Sequence, residues 1–275
     1  MPERIPFVKM QGSGNDFILI DNRSRILDPE NLGDFIRGVC RRCRSVGADG
    51  LILLEESDRA DFRWHYFNAD GGRAEMCGNG SRCAARLAHR WGMAPANLTF
   101  ETDAGILSAE VTGRRVKVRM TDPSPIDPAV KVTMNGFEHH LHWINTGVPH
   151  AVEFVEDLEG WKVVEVGRFI RFHERFLPAG TNVDFVHPVG RSRVAVRTYE
   201  RGVEEETLAC GTGAVAAALV CADQGFAKPP VDVLTRSGDE LRISFRKEGK
   251  QYTDVYLEGE TALVYEGSLT QEAWT

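Results

Sequence analysis

Two cysteines stand in the same local pattern, one in each half of the chain. Cys77 begins the run Cys-Gly-Asn-Gly, Cys210 begins Cys-Gly-Thr-Gly, and an alanine-rich segment follows each. The pattern predicts two helices that each begin at the cysteine. The free N–H groups and the positive dipole end of a helix start favour a thiolate. Flexible glycines let those N–H groups approach an anion closely. Each element therefore predicts a reactive thiol beside a site for a carboxylate or phosphate.

Two such thiols on opposite faces of one small molecule could invert a carbon next to a carboxylate. One thiolate would remove the α-hydrogen from one face, and the other thiol would protonate the opposite face. Helix N-termini directed at the carboxylate would stabilise the enolate-like charge that develops, and exclusion of water would strengthen that effect. Because the thiols supply both proton transfers, we expect a reaction that needs no cofactor and no metal.

The other four cysteines fit structural roles better. Cys83 and Cys221 fall inside the alanine-rich segments and are expected in the core. Cys40 and Cys43 have the CxxC spacing, but they lie toward the end of a predicted helix, whereas a redox pair gains acidity at a helix start. The sequence has no second CxxC pair for zinc, no HExxH and no calcium loop. We therefore expect no metal site.

Composition indicates an ordinary globular protein of one large or two modest domains. The chain has 275 residues, of which 42% are hydrophobic and 27% charged, with a formal net charge of −7. A negative balance argues against binding to nucleic acid or to an anionic membrane. The longest apolar run, residues 214–222, is too short to span a bilayer, and the N-terminus does not resemble a signal peptide. We expect a cytoplasmic protein with reduced thiols.

The helices and strands predicted around the two cysteines indicate that one structural unit occurs twice in the chain. Each cysteine is preceded by strand-like segments and an acidic stretch, and short strands follow each alanine-rich helix. A further helix is expected from its N-cap Asp28 to Gly47. Residues 121–128 contain three prolines and suit neither a helix nor a sheet interior. We place a boundary there, with one domain at 1–121 completed by 262–275 and a second at 122–261. The second alanine-rich helix is apolar on every side, so protein must surround it.

Several longer segments resemble the diaminopimelate epimerase family, and they follow one another in that family's order. The most specific one is Ala-Glu-Met-Cys-Gly-Asn-Gly, residues 74–80. The matching segments are residues 7–17, 68–83, 147–150, 180–185 and 199–213. The resemblance implies an α/β (α+β) fold with two pseudo-symmetric domains, each a mostly antiparallel sheet wrapped around a central helix, and an active site between them. It also implies a homodimer.

The resemblance implies a cofactor-independent isomerase of lysine and cell-wall precursor biosynthesis that converts LL- to meso-diaminopimelate. Cys77 and Cys210 would be its acid–base pair, tuned by His150 and Glu200. Backbone N–H groups at Gly78, Asn79, Gly211 and Thr212 would hold the reacting carboxylate. The distal zwitterion needs a cation for its carboxylate and oxygen acceptors for its ammonium. The residues that match this distal site are Asn15, Asn68, Asn182, Glu200 and Arg201.

Two positions depart from the family pattern, and three alternative functions stay open. Val148 stands where many members have Asn, and Gly50 stands where some carry a substrate-binding Gln. A racemase of another amino acid, such as proline or glutamate, would not need Arg201 and Asn15. A thiol redox sensor would form a disulfide and turn over no amino acid. A non-catalytic carboxylate-binding protein would tolerate serine at both cysteines.

Overall fold

The computed structural model describes residues 2–74 and 76–275. Glu75, part of the acidic stretch and of the family segment before Cys77, lies outside the described residues. The chain divides into two compact units, one formed by Met1–Val118 with Gly259–Thr275 and the other by Arg119–Glu258. These limits fall within a few residues of the domain limits expected from the sequence.

Short strands and a few helices make up both units. The helices are α1 (Gly33–Val39), α2 (Gly78–Arg90), α3 (Val163–Arg171) and α4 (Gly211–Asp223), with 3-10 turns at Pro29–Asn31, Glu174–Phe176 and Gln271–Ala273. From the N-terminus the strands are β1 (Arg4–Gly12), β2 (Asn15–Asp21), β3 (Gly50–Glu55), β4 (Phe62–Asn68), β5 (Arg73–Ala74), β6 (Asn97–Thr102), β7 (Gly105–Thr112), β8 (Arg115–Arg119) and β9 (Asp127–Met134). They continue with β10 (Phe137–Asn145), β11 (Pro149–Phe154), β12 (Asn182–Gly190), β13 (Arg193–Glu200), β14 (Glu205–Thr207), β15 (Val231–Leu234), β16 (Glu240–Glu248), β17 (Gln251–Glu260) and β18 (Ala262–Thr270).

The strand pairings of the first unit are mostly antiparallel. β1 pairs antiparallel with β18 and β2, and β2 runs parallel to β3. β3 pairs antiparallel with β4, which is antiparallel to β5 and parallel to β6. β6, β7 and β8 form an antiparallel meander. The two parallel pairs are the places where a helix connects the strands, as a parallel crossover requires.

The second unit repeats this order of pairings. β10 pairs antiparallel with β9 and β11, and β11 runs parallel to β12. β12 pairs antiparallel with β13, which is antiparallel to β14 and parallel to β15. β15, β16 and β17 form the closing meander. The α+β fold with two equivalent halves, expected from the sequence, is confirmed.

In the first unit the sheet is covered on both faces. Side chains alternate along a strand, so Phe17 faces the central helix α2 while its neighbour Ile18 faces α1. Trp64 and Phe100 join Phe17 on the α2 side. Strands buried on both faces read as continuous apolar runs, which explains the run Leu51–Leu54 in β3.

In the second unit the central helix is α4. Every residue from 213 to 221 is buried, as the uniformly apolar sequence requires. α4 packs against strands β10 to β13 and against β15 and β16. The amphipathic helix α3 covers strands β12 and β13 from outside and packs against Phe185 and Tyr199.

Three local expectations were wrong or incomplete. Asp28 caps only the 3-10 turn at Pro29–Asn31, and the helix that follows ends at Val39, so Cys43 lies beyond it with a positive φ of 63°. Helix α3 was not predicted from the sequence. Strand β9 begins inside the proline-rich segment that we read as irregular. Among the residues that the structure describes, no helix is long and apolar enough to cross a membrane.

Candidate active site

Cys77 caps the N-terminus of the central helix in the first unit. Its backbone is extended (φ −147°, ψ 116°), and its Sγ accepts a hydrogen bond from the Gly80 N–H at 3.5 Å. The helix starts at Gly78, as predicted from the sequence, and Asn79 is its second residue. Cys77 is half-buried. A thiol in this position faces the free N–H groups of the first helical turn, which stabilise a thiolate.

The turn between β1 and β2 brings Asn15 to Cys77. The Cys77 thiol donates to Asn15 Oδ1 at 3.6 Å, and Asn79 Nδ2 donates to the same oxygen at 3.4 Å. The Asn15 amide donates in turn to Asp49 Oδ2 at 2.7 Å, which fixes the orientation of the amide group. The structure therefore brings together Cys77, Asn15 and Asn79, three of the residues named from the sequence.

Arg82 ties this turn to the helix. Its side chain is fully buried, and Nη2 donates to Ser13 Oγ and to Asn79 Oδ1, both at 3.0 Å. A Cβ at Gly12 would lie 3.3 Å from Nη2, so the turn passes close to the guanidinium. We did not name Arg82 from the sequence, although an arginine inside an alanine-rich buried helix is a signal that could have found it.

Asn68 and Gly50 lie side by side at the paired ends of β3 and β4. Asn68 is exposed, and its Oδ1 accepts a hydrogen bond from the Tyr66 hydroxyl at 2.8 Å. A Cβ at Gly50 would lie 2.5 Å from the Phe67 carbonyl oxygen and 2.7 Å from the Tyr66 ring. The backbone here leaves no room for a side chain at position 50, so the departure from the family pattern has a steric reason.

Cys210 caps the central helix of the second unit. It has an extended backbone (φ −109°, ψ 115°), Gly211 begins the helix as predicted, and Cys210 is 9% exposed. Its Sγ lies 3.4 Å from the hydroxyl of Thr212, the second helical residue. Burial raises the pKa of the Cys210 thiol well above its ordinary value, and the nearby carboxylates of Glu200 and Asp184 raise it further. Both effects favour the protonated thiol of Cys210 over the thiolate.

His150 reaches Cys210 through Thr212. Its Nε2 lies 2.9 Å from Thr212 Oγ1, and its Nδ1 lies 2.7 Å from Asp184 Oδ2. Both His150 and Asp184 are fully buried. The other carboxylate oxygen, Asp184 Oδ1, accepts a hydrogen bond from the Thr198 hydroxyl at 2.7 Å. The sequence named His150 and Thr212 but missed Asp184 and Thr198. The signal was present, because Asp184 is the only acidic residue within a mostly apolar strand.

The remaining named residues lie at the ends of β12 and β13. Asn182 begins β12; its amide donates to the Pro149 carbonyl at 3.0 Å, and its Oδ1 accepts the Arg201 N–H at 2.8 Å. Glu200 ends β13, is half-buried, and has its pKa raised by burial. The Arg201 guanidinium donates to the Ala179 carbonyl at 2.9 Å and is partly exposed. Asn182 thus links the residue that follows Glu200 to the start of β11.

No group of three or more His, Cys, Asp or Glu side chains arranged to hold a metal ion is found within residues 2–74 and 76–275. Val148, the second departure, is partly exposed, and its carbonyl accepts the Thr146 N–H at 3.1 Å. Cys83 and Cys221 are fully buried in the helices α2 and α4, where a structural role was expected.

The fold of this chain is shared by solved structures of low sequence identity. A phenazine biosynthesis protein of the PhzF family from Bacillus anthracis superposes with a TM-score of 0.76 at 16% identity, covering 98% of this chain and 99% of that one. A hydroxyproline epimerase from Agrobacterium vitis has a TM-score of 0.70 at 16% identity, covering 98% and 93% of the two chains. At such identities the likeness establishes the fold alone.

Sequence comparison gives the family. The family model for diaminopimelate epimerase matches residues 7–126 and 142–264. The chain is 50% identical to the diaminopimelate epimerase of Aquifex aeolicus, covering 97% of this chain and 98% of that protein, and 42% identical to that of Archaeoglobus fulgidus, covering 97% and 96%. The chain therefore belongs to the diaminopimelate epimerase family and is an isomerase of the epimerase class. The resemblance identified from the sequence motifs is confirmed.

Proposed function

We propose that this chain interconverts LL- and meso-2,6-diaminopimelate by proton transfer at one α-carbon, with Cys77 and Cys210 as the two acid–base groups. One observation carries the proposal: each unit places a cysteine at the same point, the N-cap of its central helix. A helix start provides N–H donors that can stabilise a thiolate at the cap and hold a carboxylate. The repetition supplies one acid and one base.

The first helical turns would bind the reacting end of the substrate. The N–H groups of Gly78, Asn79, Gly211 and Thr212 belong to those turns, at the helix end that attracts anions. Donors aimed at the carboxylate stabilise the negative charge that spreads onto it when the α-proton leaves. The reaction therefore needs neither a metal nor a cofactor to hold that charge.

The distal end of diaminopimelate is a second amino-acid zwitterion. We assign its carboxylate to Arg201, whose guanidinium keeps free donor directions beside its bond to Ala179. We assign its ammonium to oxygen acceptors, namely Asn15, Asn68, Asn182 and Glu200. His150 and Glu200 would adjust the acidity of the thiols. The charge of Glu200 acts on the Cys210 thiol, and His150 is linked to Cys210 by hydrogen bonds through Thr212.

The direct test is turnover of the pure, reduced protein. LL-diaminopimelate is incubated with no added pyridoxal phosphate or metal, in the presence of a chelator, and the isomers are separated by chiral chromatography. We expect the meso isomer to appear until both isomers are at equilibrium. If LL-diaminopimelate is unchanged while proline, hydroxyproline or glutamate is racemised, the substrate assignment is wrong and a racemase of another amino acid replaces it.

The cellular setting follows from the family resemblance alone. We propose a cytoplasmic homodimer in lysine and cell-wall precursor biosynthesis, with a small-molecule substrate and no nucleic-acid or membrane partner. Light scattering coupled to gel filtration measures the assembly directly. A mass near twice the chain's 30.6 kDa is expected, and a mass near 30.6 kDa would reject the dimer.

A further inference from the structure

We propose that Thr212, His150 and Asp184 form a proton relay that receives the thiol proton of Cys210 and so lets this buried cysteine act as a base. The inference rests on the proposed function, in which a reversible two-base reaction needs each thiol to be the base in one direction. It assigns a chemical role to the Thr212 side chain and a positioning role to Asp184.

The relay is continuous within the second unit. Sγ of Cys210 lies 3.4 Å from Oγ1 of Thr212, and that oxygen lies 2.9 Å from Nε2 of His150. Nδ1 of His150 lies 2.7 Å from Oδ2 of Asp184. Each separation is within hydrogen-bonding range for the atoms involved. Every step of the relay therefore joins two atoms that can share a proton.

Asp184 sets the direction of the relay. An ionised carboxylate can only accept hydrogen bonds, so Nδ1 of His150 must carry a hydrogen. In the neutral ring Nε2 then has a free lone pair and accepts the Thr212 hydroxyl. The Thr212 oxygen is left free to accept the hydrogen of the Cys210 thiol. All the donors point from Cys210 toward His150.

The transfer balances without another reactant. The S–H proton of Cys210 moves to Oγ1 of Thr212 as the hydroxyl proton of Thr212 moves to Nε2 of His150. Cys210 becomes a thiolate, Thr212 is unchanged, and His150 becomes an imidazolium paired with the Asp184 carboxylate. The total charge stays constant, and an ion pair within the relay replaces a neutral thiol and a neutral imidazole.

The surrounding structure holds the relay in place before any substrate binds. His150 and Asp184 lie on adjacent parallel strands and are fully buried. Thr198 donates to the second oxygen of Asp184 at 2.7 Å, and Thr146 donates to the Thr212 carbonyl at 3.1 Å. Fixed partners of this kind orient a catalytic histidine and stabilise its charged form.

Two carboxyl groups face Cys210 besides the relay's own imidazole. Asp184 on β12 and Glu200 on β13 both raise the pKa of the thiol, after burial itself. Burial also raises the pKa of Glu200, which reduces its charge near the thiol. Simple loss of the Cys210 proton to water is therefore unfavourable at neutral pH. A nearby acceptor allows the proton to be transferred within the protein instead. The Cys77 thiol donates to the side-chain oxygen of Asn15, an amide that does not act as a base.

The test is alkylation of the substrate-free, reduced protein with iodoacetamide from about pH 6 to about pH 10. Peptide mass spectrometry reports Cys210 and Cys77 separately in each sample. At a pH below its pKa, a simple thiol reacts about tenfold faster for each unit by which the pH is raised. With the relay, wild-type Cys210 is expected to react at a nearly constant rate around neutral pH, because thiolate forms by internal transfer.

Thr212→Val keeps the shape of the side chain but removes the hydroxyl. In this variant Cys210 is expected to react about tenfold more slowly near pH 7.5 and to regain the slope of about tenfold per pH unit. Thr212→Ser is the matched control that retains the hydroxyl and the wild-type profile. Asp184→Asn is expected to shift the profile in the same direction as Thr212→Val. The Cys77 profile should be unchanged in all three variants.

Wild-type behaviour alone can overturn the relay, even if a variant fails to fold. A slope of about tenfold per pH unit through neutrality, or no alkylation of Cys210 while Cys77 reacts, would contradict it. An identical Cys210 profile in wild type and a folded Thr212→Val variant would do the same. Since no diaminopimelate is present, a relay profile without turnover of diaminopimelate would reject the proposed function separately.

Discussion

Gly213 in the first turn of α4 packs directly on the carboxylate of Asp184. A Cβ at position 213 would lie 2.4 Å from Asp184 Oδ1 and 3.2 Å from the Thr198 hydroxyl. Both groups are held by their own hydrogen bond, so neither can move aside without breaking it. We expect Gly213→Ala to lower the free energy of unfolding by about 1–3 kcal/mol, the usual range for overpacking. Chemical denaturation measures this change.

Gly190 provides the matched control for Gly213. It lies in the same unit, its φ is not in the left-handed region, and a Cβ there would meet its nearest neighbour only at 3.9 Å. Gly190→Ala is expected to change the stability by less than about 0.5 kcal/mol. Equal effects of the two substitutions would contradict the close contact between Gly213 and Asp184.

The raised pKa of Glu200 makes a prediction about pH. Burial holds the proton on Glu200 in the folded chain above the ordinary pKa of 4.5, so between the two pKa values the folded chain binds more protons than the unfolded chain. Stability then falls as the pH rises through that interval. Glu200→Gln cannot ionise. Its free energy of unfolding, relative to wild type, should therefore increase as the pH is raised from about 4 to neutral.

Glu204 supplies the opposite case a few residues away. Burial alone would raise its pKa, but the Gly202 N–H and the Arg171 guanidinium outweigh burial and hold the pKa below its ordinary value. Its contribution to stability is present above the unfolded pKa and is lost as the pH falls through the folded one. Glu204→Gln should thus lose stability relative to wild type as the pH rises. Parallel trends for the two variants would show that the Glu200 assignment is wrong.

Arg82 is expected to hold the first thiol site together. Its guanidinium donates hydrogen bonds to both Ser13 and Asn79. A lysine side chain is shorter and ends in a single ammonium group, so it cannot reproduce that geometry. We expect Arg82→Lys to cost about 1–3 kcal/mol by leaving buried acceptors without a donor. Unfolding in denaturant measures the loss. Arg90→Lys at the exposed end of the same helix is the control and should be nearly neutral.

Arg201 is expected to act on substrate affinity rather than on stability. Loss of a charge-assisted hydrogen bond to a carboxylate costs about 1.5–3 kcal/mol, which corresponds to about a 10- to 150-fold rise in KM. Initial rates of Arg201→Met with varied LL-diaminopimelate test this, with the exposed Arg191→Met as control. An unchanged KM would remove Arg201 from the distal binding site.

Local patterns made the two cysteine-capped helices predictable. Helices α2 and α4 begin at Gly78 and Gly211 because the capping signal and the alanine-rich segment are adjacent in sequence. Most strands were also found, since their apolar runs are bounded by turn residues. Strand β9 was missed because Pro128 suggested irregular structure. The structure accommodates that proline opposite a register shift between Leu141 and Trp143, where a ladder hydrogen bond is not required.

The relay around His150 could not be read from the sequence for a different reason. His150 and Asp184 are 34 residues apart, and their contact depends on the parallel register that sets His150 opposite Asn182. Neither composition nor periodicity fixes that register. Thr212 was named for its backbone N–H, whereas the structure shows that its hydroxyl joins Cys210 to His150. Such roles appear only once the strands are paired.

The most direct test of the two-thiol account is the fate of deuterium during turnover. LL-diaminopimelate is incubated in D₂O, the reaction is stopped early, and mass spectrometry measures deuterium in the meso product and in the recovered LL substrate. With two separate bases, the product carries solvent deuterium at the inverted carbon while the recovered substrate carries almost none. Cys77→Ser and Cys210→Ser should each lower the rate by about 100-fold or more, with the exposed Cys43→Ser as control. Equal deuterium in substrate and product, or full activity of either serine variant, would contradict the account.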